Sequence, residues 1–189
     1  MNDKIDLRIV KTYAKLTTAL SDMMGEISFD DITVFDLCEK AGVRRATFYK
    51  HFKDKYDFLK CVTTKIINDM NTSVIASNFD PSSSVDYFTR FVNEIITYFE
   101  ARPSILSNIL SSNTFPLLYD IITTCTHSAL FETLIKAKQN GARITNDISF
   151  MANFINGGIA NILLNWFKTP DVSKDLLLLR IGEIIAKLF

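Results

Sequence analysis

Apolar residues recur at three- and four-residue steps through most of this chain, with no stretch of strict alternation and no internal repeat. The pattern predicts helices and no sheet. Leu7, Val10, Ala14, Thr17, Leu20 and Met24 form one inward stripe of a first helix over residues 4–24, closed at Gly25. Lys4, Arg8, Lys11 and Lys15 stack into a basic ridge on another face of that helix. After a connection reading EISFDDI, Thr33 is placed to cap a second helix over 33–40, with Asp36 as an acidic capping-box partner. That helix buries Val34, Leu37, Cys38 and Ala41, and Gly42 supplies the sharp turn into a third, short helix over 44–51. Asp54 opens a fourth, with Tyr56, Leu59, Val62, Ile66 and Ile67 on its apolar side.

A polar, turn-forming run, NFDPSSS at 78–84, interrupts the pattern. Beyond it helices are expected over 85–101, stopped by Pro103, and over 104–111, 116–138, 145–168 and 173–189. The sum is an all-α chain of about nine helices. The first three make an N-terminal domain over 1–55 and the rest a larger C-terminal domain over 56–189, with the fourth helix bridging toward the second.

Composition narrows the class. With 48% hydrophobic and 12% aromatic residues the chain has material for a core and is not disordered. Six glycines and four prolines are too few for an all-β fold rich in hairpins. Lys plus Arg equals Asp plus Glu at 21 each, so any affinity for nucleic acid must come from local charge. Cys38, Cys61 and Cys125 lack metal-ligand spacing and read as buried thiols of a reducing cytoplasm. The start, MNDKIDLRIVK, has charges where a signal peptide needs an apolar run. Residues 148–167 are uncharged over about the length that spans a bilayer. Asn153, Asn156, Asn161, Asn165 and the Gly157–Gly158 pair favour the interior of a protein instead, and no membrane partner is expected.

Local charge is concentrated where helix, glycine turn and helix follow one another, in TVFDLCEKAGVRRATFYKHF at 33–52. This is the layout in which the second helix lies in the DNA major groove. Phe48 and Phe52, four apart, anchor inward with Val43 and Ala41. Arg45, Ala46, Thr47, Tyr49 and Lys50 are left facing outward, whereas the angle of His51 leans toward the buried side. Arg can bond guanine bidentately, and Lys, Thr and Tyr can bond phosphate. Between residues 40 and 55, Lys40, Arg44, Arg45, Lys50, Lys53 and Lys55 meet a single acid, Asp54, which makes a cationic patch in a neutral protein.

The run AGVRRATFYKHFKDKYDFL resembles the helix-three to helix-four signature of tetracycline-repressor-type (TetR family) regulators, and DDITVFDLCEKAGV resembles their preceding helix. The resemblance covers about residues 6–60. It implies a sequence-specific DNA-binding transcriptional regulator, with Thr47, Tyr49 and His51 at DNA-contacting positions. It further implies that Lys55 grips phosphate and that Thr33 makes another phosphate contact. The family often has Ser or Thr where this chain has Arg44, so the hydroxyl cap of the recognition helix is replaced by a group suited to a phosphate or base.

The tail FMANFINGGIANILLNWFKTPDVSKDLLLLRIGEII resembles, more loosely, that of a low-GC Gram-positive branch of the family. In that family the C-terminal domain dimerises and, in many members, holds an effector. The last helix puts Leu177, Ile181, Ile184 and Leu188 on one stripe opposite Arg180, Glu183 and Lys187, so a homodimer through residues 150–189 is expected, bound to a palindromic double-stranded operator. Phe88, Phe91, Tyr98, Phe99, Tyr119, Cys125, His127, Phe131, Phe154 and Trp166 are candidates to line a site for a small apolar effector. At helical spacing the same aromatics also serve as plain core. The expected activity is that of a repressor released by a small molecule. An activator of the same fold, or a protein-interaction module without an effector, is the alternative. No nucleophile, acid–base pair or metal set is spaced for catalysis, so neither an enzyme nor a cofactor is expected.

Overall fold

A computed structural model describes residues 7–76, 84–139, 141, 144 and 147–188. Among the described residues there are nine α-helices, one 3-10 turn and no strand. The helices are α1 (Leu7–Glu26), α2 (Val34–Ala41), α3 (Arg45–His51), α4 (Lys55–Ala76), α5 (Ser84–Glu100), α6 (Pro103–Leu110), α7 (Phe115–Gln139), α8 (Ile148–Lys168) and α9 (Lys174–Ala186), with the 3-10 turn at Phe29–Asp31. The residues fall into two compact units, one drawn from the stretches 1–63 and 99–119, the other from 64–98 and 120–189.

In the first unit α1 lies against α2 and α6, and α2 against α3. The buried face of α1 keeps Leu20 and Met24 of the predicted stripe and adds Leu16, Ala19 and Met23, whereas Val10 is 47% exposed and Ala14 is exposed. The rotation has a cause in Tyr13, whose ring meets Phe52 at 6.1 Å and Phe58 at 5.9 Å and so selects the face running 13, 16, 20, 23. Gly25 does not end the helix, which continues through Glu26. The expected connection contains the 3-10 turn, capped by the Ser28 hydroxyl, which accepts from the Asp30 N–H. Pro103 begins α6 at its first turn, where a missing N–H costs nothing. The Asn108 side-chain amide then donates to the Met24 carbonyl at the end of α1 at 2.9 Å. Of the predicted ridge, Lys11 and Lys15 are exposed, Lys4 lies outside the described residues, and nothing is described of the Arg8 side chain.

In the second unit Tyr87, Phe88, Phe91, Val92 and Ile96 of α5 are buried with Met151, Ala152 and Ile155 of α8 and Leu177, Ile181 and Ile185 of α9. A Cβ on Gly182 would stand 3.2 Å from Thr89 Cγ2, so the glycine lets α9 approach α5 closely. Asp147 caps α8, accepting from the Phe150 N–H at 2.9 Å. The Thr126 hydroxyl donates to Asn156 Oδ1 at 2.6 Å, and the Asn156 amide donates to the Thr123 carbonyl at 2.8 Å, so this one amide of α8 is spent inside the unit. Burial pushes the Tyr87 hydroxyl up to about 12, with a Thr133 hydrogen bond opposing and Glu132 adding to the shift. That hydroxyl donates to Asn71 Oδ1 at 2.6 Å.

Two expectations about the tail change. Leu177 and Ile181 are buried within the unit itself, while Ile184 turns outward at 51% exposed along with Leu176 and Leu179. The uncharged stretch 148–167, expected in the interior of the protein, presents an outward face, made of Phe150, Asn153, Phe154, Gly157, Gly158 and Asn161. Among the described residues no helix is long and apolar enough to cross a membrane.

Candidate nucleic-acid interface

The helix-turn-helix is built from local signals. The Thr33 hydroxyl accepts from the Asp36 N–H at 3.1 Å and donates to the Asp36 carboxylate at 2.6 Å, which fixes the start of α2. Gly42 closes α2 in the left-handed region, at φ 62° and ψ 38°, and the Val43 N–H reaches back to the Cys38 carbonyl at 2.9 Å. Only glycine adopts this conformation without a steric penalty. Arg44 occupies the N-cap of α3 and offers no side-chain cap, so the substitution of Arg for a hydroxyl leaves the N-terminus of α3 open.

A cluster of rings holds α3 in place. Phe48 is fully buried and meets Phe58 at 5.7 Å and Phe52 at 5.3 Å; Phe52 meets Phe58 at 4.8 Å. With Tyr13, these rings pin α3 to α1 and α4. On the other side Arg44, Arg45, Ala46, Tyr49, Lys50 and His51 are exposed and Thr47 is half-buried. His51 therefore points outward, contrary to the inward lean read from its helical angle, because Phe48 and Phe52 occupy the inner face. The Tyr49 ring, 55% exposed, stands edge-on to Phe48 at 5.5 Å. Thr33 is exposed as well.

The basic residues of the patch are not equivalent. Lys40 pairs with Glu26 at 3.2 Å. Arg45 lies over the ring of Phe35 at 5.7 Å, and Phe35 is itself 54% exposed. Lys55 has a different setting. Its ammonium donates to the carbonyls of Phe29 at 3.1 Å, Asp30 at 2.8 Å and Ile32 at 2.8 Å, and sits over the rings of Phe29 and Tyr56. An ammonium has three N–H donors, and here all three have acceptors. Burial lowers the pKa of Lys55, partly offset by the charges of Asp30 and Asp31.

Asp30 completes this knot. Its carboxylate accepts from the Thr114 hydroxyl and, at 2.8 Å, from the Asn113 N–H at the corner between α6 and α7. The Thr114 hydrogen bond is the main cause holding the carboxyl below the ordinary aspartate value. Partial burial opposes it, and the Asn113 N–H, the Ser112 hydroxyl and the charge of Lys55 assist. Asp54 caps α4, accepting from the Tyr56 and Asp57 N–H groups at 2.9 Å each, while Asp57 reaches back to the Lys53 N–H. The partners of Asp30 lie 83 and 84 residues away and leave no local signal in the sequence. Phe35, Phe58 and Tyr13 likewise carry no role in the sequence reading. Only Phe58, at helical spacing from Val62, carries a pattern that could have found it.

The candidate effector residues scatter. Phe88 and Phe91 are buried around Tyr87, which stacks on Phe91 at 6.0 Å. Tyr98, Cys125, Phe131 and Trp166 are half-buried in the second unit, while Phe99 and Tyr119 fall in the first. Cys125 Sγ is 3.6 Å from the Thr64 hydroxyl, the Trp166 N–H donates to the Val172 carbonyl at 2.9 Å, and His127 stacks on Phe131 at 6.2 Å. Phe154 is 62% exposed on the outward face of α8, so within one protomer it lines no interior. Tyr56, expected on the apolar side of α4, is 44% exposed; Cys61 is exposed and only Cys38 of the cysteines is fully buried.

Comparison with known proteins bears on both halves of the chain. Residues 16–62 match the family profile described as bacterial regulatory proteins, tetR family, and residues 86–185 match one described as a transcriptional regulator C-terminal region. A Bacillus subtilis protein described as the uncharacterized HTH-type transcriptional regulator YxbF is 38% identical over 58 residues. That match spans 30% of this chain and only 15% of that relative. Among solved structures, a TetR-family regulator from Syntrophomonas wolfei superposes with a TM-score of 0.70 at 16% identity, covering 94% of each chain. The regulator FadR from Bacillus subtilis, in complex with stearoyl-CoA, superposes with a TM-score of 0.66 at 16% identity, covering 94% of this chain and 99% of that one. At these identities the likeness is one of fold, while the profiles cover both the helix-turn-helix and more than half of the chain. The chain belongs to the TetR family of DNA-binding transcriptional regulators.

Proposed function

We propose that this protein is a sequence-specific repressor that binds a palindromic operator as a homodimer and is released by a small, largely apolar effector. The observation that carries the DNA reading is the two-sidedness of α3. Phe48 is fully buried, while Arg45, Ala46, Tyr49, Lys50 and His51 stand exposed around the far side with no acid among them. Small Ala46 lets the helix approach base edges; Arg45 suits guanine, and Arg44, Thr47, Tyr49, Lys50, His51 and Thr33 suit phosphates or bases. Lys55 is assigned to hold the 3-10 turn that leads into α2 rather than to grip phosphate itself. A domain division near residue 55, where α4 begins, remains the functional reading.

Dimerisation is assigned to residues 150–189 through their outward apolar side chains. Phe150 and Phe154 on α8 and Leu176, Leu179 and Ile184 on α9 are each at least 37% exposed in the protomer. Nothing stands within 4 Å of a Cβ built on Gly157 or Gly158, which leaves room for a partner helix. The effector reading rests on the aromatic interior of the second unit. It is supported by the FadR relative, whose structure holds stearoyl-CoA.

Selection of duplex DNA from a random pool by the purified protein tests the function. Enrichment of a two-fold symmetric site, with half-sites about one helical turn apart, is the expected result. Enrichment of no sequence, at low salt and with a folded protein, would remove the DNA-binding reading.

A further inference from the structure

Phe35 stands out among the exposed residues of the first unit. It is a large aromatic on α2, 54% exposed, and its one described ring partner is the guanidinium of Arg45 at 5.7 Å. Arg45 begins α3, and among the described residues no carboxylate or carbonyl accepts its N–H groups. A long, freely rotating arginine at the start of a recognition helix would lose rotamer entropy on reaching a base. A ring beside it reduces that loss by holding the side chain in one region beforehand. Cation–π contact engages the charge of the guanidinium, not its N–H donors, so the donors remain available for a base edge. The two elements that set the distance are rigid: α2 is capped at both ends by Thr33 and Gly42, and α3 is anchored by Phe48.

We propose that Phe35 is a specificity-determining residue, a platform on α2 that positions Arg45 to read a guanine in the major groove. This rests on the DNA-binding reading above and adds to it a residue that makes specificity without itself supplying a polar contact. A bidentate arginine–guanine pair discriminates by roughly 5- to 150-fold against other bases, and part of that factor belongs to the preorganisation that the ring supplies.

The test is site selection from a random duplex pool by wild type, Arg45→Ala, Phe35→Leu and Phe35→Tyr, followed by competition binding on the selected duplex with each base at the position affected. Wild type is expected to select a guanine in each half-site that Arg45→Ala no longer selects. Phe35→Leu should lose preference by several-fold at that same position, keep the others, and keep the wild-type slope of affinity against salt. Phe35→Tyr should restore the preference. Retention of the full guanine preference by Phe35→Leu would overturn the proposal. So would a uniform loss of affinity for all sequences with a shallower salt slope, which would make Phe35 a support for phosphate contacts. Wild-type selection of a symmetric site with no position dependent on Arg45 would overturn the proposal alone. Failure of wild type to select any DNA would overturn the DNA-binding reading as well.

Discussion

Replacing Lys55 with methionine distinguishes two uses of one ammonium, a clamp inside the protein or a grip on DNA. In the structure it donates to three carbonyls, those of Phe29, Asp30 and Ile32, at 3.1, 2.8 and 2.8 Å. A hydrogen bond from a charged donor contributes about 1.5–3 kcal/mol. Three such bonds do not add, because they share one charge, one loss of hydration and one fixed side chain. The site is also only half-buried, so water replaces part of what is removed. A net loss of about 2 kcal/mol follows, equivalent to a fall in Tm of roughly 4–8 °C for a chain of this size. Methionine keeps the packing of the stem over Phe29, so the loss reports the ammonium. Thermal and urea melts measure the first effect, and operator binding at a series of salt concentrations measures the second. A residue that gives its charge to phosphate lowers the salt slope by about one unit when removed. The clamp predicts a destabilised protein whose salt slope is unchanged. Wild-type stability with a slope lower by one would refute it.

Three further outcomes follow from the same geometry. Asp30→Asn should be less stable than wild type near neutrality. Because the folded pKa of Asp30 lies below the ordinary value of 3.8, the carboxylate contributes fully above that pH and less as the pH falls through the folded value. The gap between the two proteins should therefore be constant at neutral pH and close below about pH 4 in urea melts; a gap independent of pH would contradict the assignment. Gly42→Ala places a side chain at φ 62° with no clashing neighbour, so a loss of about 1 kcal/mol from backbone strain alone is expected in chemical denaturation. Phe154→Glu with Leu179→Glu should yield helical monomers in sedimentation, whereas Leu177→Glu or Ile181→Glu should unfold the second unit because those side chains are buried. Dimers that survive the first pair would exclude this face.

Legibility in the sequence followed range. The cap at Thr33, the turn at Gly42, the buried Phe48 and the outward Arg45, Tyr49 and Lys50 are decided within a few residues, and the pattern around 33–52 shows them. The face of α1 is decided by contact between Tyr13 and two rings 39 and 45 positions downstream, so a stripe drawn through Val10 and Ala14 fits the periodicity and misses the packing. The setting of Lys55 is hidden for the same reason. A lysine at the start of a helix next to a basic patch looks free for phosphate, and its carbonyl acceptors lie 23 to 26 residues upstream. In α9 the four consecutive leucines leave the buried face undetermined by pattern, and the close approach at Gly182 to α5 sets it.

On the proposed function, the outward face of α3 reads DNA. Its most direct test is operator affinity, by fluorescence anisotropy on a duplex selected by wild type, for a protein carrying Arg45→Ala and Lys50→Ala together. Both side chains are exposed and make no described hydrogen bond, so circular dichroism and sedimentation should match wild type. The prediction is a loss of affinity of at least tenfold, with residual binding indifferent to sequence. Wild-type affinity and sequence preference in that doubly substituted protein would contradict the claim.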